Sequence, residues 1–142
     1  MGKPSVGIYG LTGCAGDQLA LLNCENELLD ITGAVNLKFF PMAQTSNDDD
    51  GPLDIAFVEG AVVQAEDEQM LRKLRDRARL LIALGTCAAL GGVQAMKNEI
   101  PRAELKRKVY GPQGKRFETV TAAPLSHFVK VYVHGNGESA MI

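Results

Sequence analysis

The sequence contains no tryptophan, only 6% aromatic residues and two histidines in 142 residues. So few rings make a poor base-stacking surface. A net charge of −2 supplies no basic field for a polyanion. Nucleic-acid binding is therefore not expected. No apolar run approaches the roughly 18 residues of a membrane-spanning helix, so no membrane span is expected. The opening residues, Met1-Gly-Lys-Pro-Ser5, lack the apolar stretch of a signal peptide, and the default expectation is a cytoplasmic location. Cysteine is scarce and odd in number, at Cys14, Cys24 and Cys87, which argues against a disulfide framework. Chemical motifs are missing too. No GxxxxGK(S/T) or GxGxxG is present, and the spacing of His127 and His134 is not that of HExxH. No GxSxG elbow places a serine for a triad.

What remains is a chain with 46% hydrophobic residues, enough to bury a core as a single domain over 1–142. Ser5 to Tyr9 reads as a buried strand. Gln18 to Leu29 reads as a helix with Leu19, Leu21, Leu22, Leu28 and Leu29 on one stripe, capped by Asp17. Within it Cys24 reads as core. Ala34 to Met42 is a second strand, and Gln44 to Pro52 is a solvated loop. Asp54 to Val58 is a third strand that ends at Glu59-Gly60. Glu66 to Arg79 is a charged amphipathic helix with Leu71, Leu74 and Ala78 facing inward. Leu80 to Leu84 is a fourth strand, and Val93 to Lys97 a short helix. Positions 98–120, with six Lys/Arg, two Pro and two Gly between Asn98 and Glu118, read as an irregular surface excursion. Pro124 to Val133 supplies a half-turn and a fifth strand, and a tail follows from His134. Strands alternating with helices imply an α/β fold, a three-layer sandwich around a mostly parallel sheet of about five strands.

In such sheets ligands bind beyond the carboxyl ends of the strands. Three unusual segments fall there, Gly10–Asp17, Glu59–Gly60 and Gly85–Gly92, with the tail after the fifth strand as a fourth. Cys14 and Cys87 each sit between glycines at a strand-to-helix turn. Exposed backbone donors favour a thiolate there, and soft thiolates suit zinc or iron–sulfur clusters. Two cysteines alone do not specify a metal, and the plainer reading of both is as small buried hydrophobes. Asp17 reads as a cap or as a hard oxygen ligand. Glu59 reads as an acceptor for loop N–H groups, as a proton relay, or as a brace for a metal site.

Taken together, Gly13-Cys-Ala-Gly-Asp17, Phe57-Val-Glu-Gly60, Leu84-Gly-Thr-Cys-Ala-Ala-Leu-Gly-Gly92 and Val129-Lys-Val-Tyr-Val133 resemble one family. It is the small subunit of nickel–iron hydrogenases, related to the 20 kDa cluster-bearing subunit of complex I (NADH:ubiquinone oxidoreductase). The resemblance covers nearly the whole chain, as the flavodoxin-like N-terminal domain of that family. It implies a proximal [4Fe–4S] cluster held by four cysteines. Two come from a Cys-x-x-Cys on the first loop, one from a Gly-Thr-Cys, and one from a Pro-Gly-Cys-Pro after the last strand. Cys14 matches the first and Cys87 the third, Asp17 stands at the second, and Glu138 in Asn136-Gly-Glu-Ser139 stands at the fourth. Gly13, Gly16, Glu59, Gly60 and Thr86 would surround the cofactor, and no residue would be catalytic. The implied role is an electron-relay subunit of an oxidoreductase, between a metal-bearing large subunit and a downstream electron-carrier subunit. Two rivals stand beside it: a structural or docking subunit without a cluster, and a flavin-binding module using the first loop.

Overall fold

Strand β1 (Ser5–Gly10) is buried from Val6 to Tyr9, as a central parallel strand covered on both faces must be. The computed structural model describes residues 2–116, 121–135 and 138–141. The other strands are β2 (Asn36–Phe39), β3 (Leu53–Glu59), β4 (Ala78–Leu84), β5 (Tyr132–Gly135) and β6 (Glu138–Met141). They form one sheet in the order β2-β1-β3-β4-β5-β6. The first five strands are parallel and β6 is an antiparallel edge. The order 2-1-3-4-5 is that of a flavodoxin-like doubly wound sheet.

Between β1 and β2 lie α1 (Gly16–Leu22) and α2 (Glu25–Ala34). Helix α3 (Ala65–Arg77) joins β3 to β4. Helices α4 (Gly85–Leu90) and α5 (Arg102–Tyr110) precede β5. The step from β1 to β2 and the steps from β3 to β5 run in opposite directions across the sheet. Right-handed crossovers therefore put their helices on opposite faces. The α3 side is the better packed. Leu71 and Leu74 of α3 close on Ala56 and Val58 of β3 and on Leu81 and Ala83 of β4. Each fully buried aliphatic side chain there contributes about 1.5–3 kcal/mol. On the other face Ile55, Phe57, Leu80, Ile82 and Leu84 are only half-buried.

The elements depart from the sequence expectation in five places. The helix expected over Gln18 to Leu29 is broken in two. Asn23 caps α1, and Cys24 leaves helical geometry at φ −78°, ψ 56° to start α2. Asparagine is a poor helix former that favours such ends. Cys24 is consequently exposed rather than core. The second strand is shorter than expected, spanning only Asn36–Phe39. Helix α3 ends two residues early, and Ala78, buried as expected, opens β4 instead. The excursion over 98–120 is not irregular throughout. Good helix formers make α5, with Lys108 Nζ 2.9 Å from Glu104 Oε1, and a 3₁₀ turn follows over Gly111–Arg116. Residues 117–120 lie outside the described ones. Finally, the tail after His134 is not without secondary structure. It turns back as β6, pairing Gly135 with Glu138 and Tyr132 with Met141.

Candidate metal–sulfur site at the ends of β1, β3 and β4

The loops after β1 and β3 are laced together by backbone. Thr12 N–H donates to Ala61 O at 3.2 Å, and Ala61 N–H returns to Thr12 O at 2.9 Å. Gly60 permits this approach. Its φ of +86° suits glycine, and a Cβ there would lie 2.8 Å from the Leu11 carbonyl carbon. Asp67, in the first turn of α3, fastens the same junction. Its Oδ2 accepts from Thr12 Oγ1 at 2.8 Å and from the Val63 and Gln64 N–H groups at 3.0 Å. A further pair of backbone hydrogen bonds, between Val62 and Ala123, ties in the segment ahead of β5.

Glu59 ends β3 with a side chain only 4% exposed. Its Oε2 accepts from the Asp17 N–H at 3.1 Å and the Gln18 N–H at 3.2 Å, and its Oε1 accepts from Gln18 Nε2 at 3.0 Å. A carboxylate from a distant strand thus satisfies the free N–H groups that open α1. This overturns the reading of Asp17 as the cap. The N-cap is Ala15, in left-handed geometry at φ 62°, with no side-chain cap of its own. Asp17 sits inside the first turn, and its carboxylate has no hydrogen-bond partner among the described residues. The reading of Glu59 as an acceptor for loop N–H groups is the one the geometry bears out.

The three donor side chains each lean on a glycine. Cys14 Sγ stands 3.1 Å from where a Cβ of Gly16 would be. Cys87 Sγ stands 2.5 Å from the corresponding point on Gly92. The Asp17 carboxylate occupies the space a side chain at Gly85 would need, and Gly85 has φ +82°. Gly16, Gly85 and Gly92 therefore form a cradle that Cβ atoms would fill. Cys14 is exposed, Cys87 is half-buried in the first turn of α4, and Thr86 beside it is exposed. Gly13 packs against the backbone of Gly60 at 3.3 Å from its would-be Cβ. The backbone of Glu138 lies in β6, and its side chain is outside the described residues.

Gln94 was not singled out from sequence. Its Nε2 donates to Thr12 O at 2.6 Å, and its Oε1 accepts from Cys87 Sγ at 3.4 Å. It ties the Cys87 turn to the Cys14 loop. The signal for it is slight: it is the one polar residue between Leu90 and Met96. A cavity of about 820 Å³ opens beside the first loop, lined by Tyr9, Gly13, Phe39, Met42 and Arg77 among others. Cys14, Asp17 and Cys87 do not line it. Leu90, Val93 and Met96 surround Cys87 in sequence and are 73–78% exposed.

Two soft thiols and one hard carboxylate on two strand-end turns are a donor set suited to iron held with sulfide. Among the described residues no three Cys, His, Asp or Glu side chains gather about one point where a single ion could sit. A four-iron cluster makes a different demand, since each ligand holds a different iron and the donors stand apart around it. The described residues supply three of the four donors such a cluster takes, Cys14, Asp17 and Cys87, and the side chain of the fourth candidate, Glu138, is outside the described residues.

Comparison with known proteins gives the family and the fold. The family model described as NADH ubiquinone oxidoreductase, 20 Kd subunit, matches residues 14–137. Sulfhydrogenase 2 subunit delta of Pyrococcus furiosus is 36% identical over 126 residues, covering 89% of this chain and 52% of that protein. The NAD-reducing hydrogenase HoxS subunit delta of Cupriavidus necator is 35% identical over 97 residues, covering 68% of this chain and 46% of that one. A chain in the crystal structure of an NAD+-reducing [NiFe]-hydrogenase in the H2-reduced state matches with a TM-score of 0.78 at 27% identity. That match covers 93% of this chain and 80% of the other. The chain spans about half the length of the curated relatives it matches. With a family match that begins at Cys14 itself and a hydrogenase chain of the same fold, the chain belongs to the NADH ubiquinone oxidoreductase 20 Kd subunit family.

Proposed function

We propose that the chain is the electron-transfer small subunit of a hydrogenase-like oxidoreductase, holding one proximal [4Fe–4S] cluster through Cys14, Asp17 and Cys87, with Glu138 as the fourth donor. The observation that carries this is the set of glycines at 16, 85 and 92, which make room for two thiols and an otherwise unpartnered carboxylate at two strand-end turns. When bound, such a cluster supplies one-electron transfer. The chain's own residues hold the donors in place. Glu59 fixes the first turn of α1 and with it Asp17. Gln94 sets the Cys87 side chain against the first loop. Thr12 and Ala61 lock that loop to the end of β3.

Cys14 is exposed and Asp17 and Cys87 are only half-buried, so a second protein has to exclude water from them. Leu90, Val93 and Met96 follow Cys87 in sequence and are exposed, and exposed apolar side chains suit an obligate interface. A metal-bearing large subunit is the partner this reading requires, with a downstream carrier subunit on the other side of the relay and both in the cytoplasm. Among the described residues no helix is long and apolar enough to cross a membrane. Val93→Asp combined with Met96→Asp is expected to abolish co-purification of the large subunit while leaving the chain folded.

A specific observation favours a second reading. Two of the four positions that carry cysteine in the resembled family are carboxylates here, Asp17 and Glu138. A subunit that had lost its cluster would keep only the docking surface. Iron and acid-labile sulfide, measured with an EPR spectrum of the reduced state on the anaerobically purified complex, separate the two. About four irons and four sulfides per chain support the relay. An intact complex whose iron and sulfide are fully accounted for by its other subunits refutes it in favour of docking, and such a complex should also survive Cys14→Ala.

A further inference from the structure

We propose that the lobe over 97–116, between β4 and β5, is the docking site of the downstream electron carrier, and that this carrier presents an acidic face to it. The proposal rests on the relay reading above and adds the place and the chemistry of one partner.

The net charge of −2 hides a strong separation of charge. Seven of the fifteen Lys/Arg but only two of the seventeen Asp/Glu fall within 97–116, which puts +5 there and −7 on the rest of the chain. Elsewhere Lys38, Arg72, Arg77 and Arg79 each pair with a carboxylate. In the lobe Lys108 pairs with Glu104, while Lys97, Lys106 and Arg107 have no ion pair among the described residues. Helix α5 buries none of its residues. Its clustered cations therefore serve no core, and they repel one another until an anionic surface meets them.

The lobe has a definite form and place. The turn over Gly111–Arg116 packs back on α5, where a Cβ at Gly114 would lie 2.6 Å from the Lys106 carbonyl oxygen. At the neck, Asn98 Nδ2 donates to Ala122 O at 2.7 Å, and Asn98 Oδ1 accepts from the Ala122 N–H at 3.2 Å. Ala123 is bonded in turn to Val62, just beyond Glu59-Gly60. On the other side Asn98 follows Gln94 by four residues, and Gln94 bonds both Cys87 Sγ and Thr12 O. Both ends of the lobe are thus fastened to the strand-end loops that carry the candidate donors. A protein held on the lobe is held at that end of the sheet.

Charge complementarity selects the occupant. A long polyanion or an anionic bilayer would meet the acidic remainder of the chain as well as the lobe. A bilayer also needs an apolar face to enter it. Helix α5 exposes only Val109 and Tyr110 as large apolar residues, and the chain has no tryptophan. A compact acidic patch on a small carrier protein meets the lobe alone. Charges on such an exposed surface act chiefly on the rate of association.

The complex of this chain with its large subunit is immobilised, and binding of a soluble acidic ferredoxin is followed at about 10 mM and about 1 M salt, where charges act over about 30 Å and about 3 Å. The variant is Lys106→Gln with Arg107→Gln and Lys108→Gln, which keeps good helix formers throughout α5. The expected result is rapid association at low salt, slowed about tenfold or more by high salt and about tenfold by the variant, with dissociation little changed. Arg107→Glu alone, at an exposed position, should slow association in the same direction, and a basic cytochrome c should not bind. A wild-type complex that does not bind ferredoxin at low salt overturns the proposal, as does binding that neither salt nor the variants alter. Capture of phosphatidylglycerol vesicles with ferredoxin ignored overturns it in favour of a membrane surface. Ferredoxin that binds as expected but is never reduced by the complex supports the docking site and refutes the relay reading.

Discussion

Removing the Glu59 carboxylate tests how the site is assembled, because three donors converge on it. Glu59→Ala leaves the N–H groups of Asp17 and Gln18 and the Gln18 side-chain amide without an acceptor. Glu59 and Gln18 are 4% and 6% exposed, so water does not readily replace the lost oxygens. A hydrogen bond to a charged group contributes about 1.5–3 kcal/mol, and an abandoned buried donor costs about 1–3 kcal/mol. The three losses share one side chain and do not add in full. A total of about 3–5 kcal/mol is expected, a large part of the roughly 5–15 kcal/mol that holds a domain folded. Glu59→Gln is predicted to be much milder. Its one oxygen can face the two backbone N–H groups while its amide donates to a turned Gln18 side chain. Only the charge assistance is lost, about 1–2 kcal/mol.

Urea unfolding measures both variants. With a slope near 2 kcal/mol/M, Glu59→Ala should lower the midpoint by roughly 2 M and leave the slope unchanged. Native-state amide exchange should quicken at Asp17 and Gln18 before it does so in α3. An alanine variant that costs less than about 1 kcal/mol would refute the capping argument. Equal losses for alanine and glutamine would refute the proposed exchange of hydrogen bonds.

Two glycines should respond to alanine in opposite directions. Gly85→Ala meets both a φ of +82° and the Asp17 carboxylate, and is expected to cost about 2 kcal/mol or more, read by thermal unfolding. Gly33→Ala lies in α2 with nothing within 4 Å of its Cβ and should stabilise by about 0.5–1 kcal/mol. Tyr9 is buried beneath the β2–β3 loop, stacked on Phe39 at 4.3 Å, and donates to Asp49 Oδ1 at 3.2 Å. Burial first, opposed by Arg77 and aided by Asp49, pushes its pKa up to about 12. The neutral phenol is thus favoured in the folded chain. Its contribution, about 3 kcal/mol at most, is complete below pH ~10 and lost as pH rises toward 12. Ultraviolet titration should show one of the three tyrosines ionising late and should lose that step in Tyr9→Phe, whereas three ionisations near pH ~10 would contradict it.

Much of the sheet is legible because its strands are buried on both faces. Ile55-Ala-Phe-Val58 and Leu80-Leu-Ile-Ala-Leu84 are continuous apolar runs, and each ends at a glycine that starts the next turn. Helix α3 is legible from its stripe and its charge order, acids at Glu66, Asp67 and Glu68 and bases at Arg75 and Arg77. Strand β6 is not, because an edge hairpin of polar and glycine residues has no apolar face to betray it. Helix α5 hides for a related reason. Its stability comes from propensity and one Glu104–Lys108 pair, with no buried residue to set a period. At the site, the glycines flank the cysteines in the sequence itself, so Cys14 and Cys87 stand out. Gln94 does not, since its two partners come from elsewhere in the fold, Cys87 from the preceding turn and Thr12 from the far end of the chain.

The misreading of Asp17 carries its own lesson about the site. An aspartate one or two residues into a helix is ordinarily explained by the free N–H groups around it. Here a glutamate 42 residues away in sequence takes two of those groups. The local need is met, and the local candidate is left with a carboxylate that does nothing for the helix cap. Retaining such a group has a cost, since it crowds the left-handed Gly85 and forbids any side chain there. A conflict between what a residue could do locally and what the fold has it do is most often found at functional positions. Asp17, displaced from capping, shows that kind of conflict, and it is the carboxylate that the proposed site uses. Glu59 is best understood as the residue that frees it.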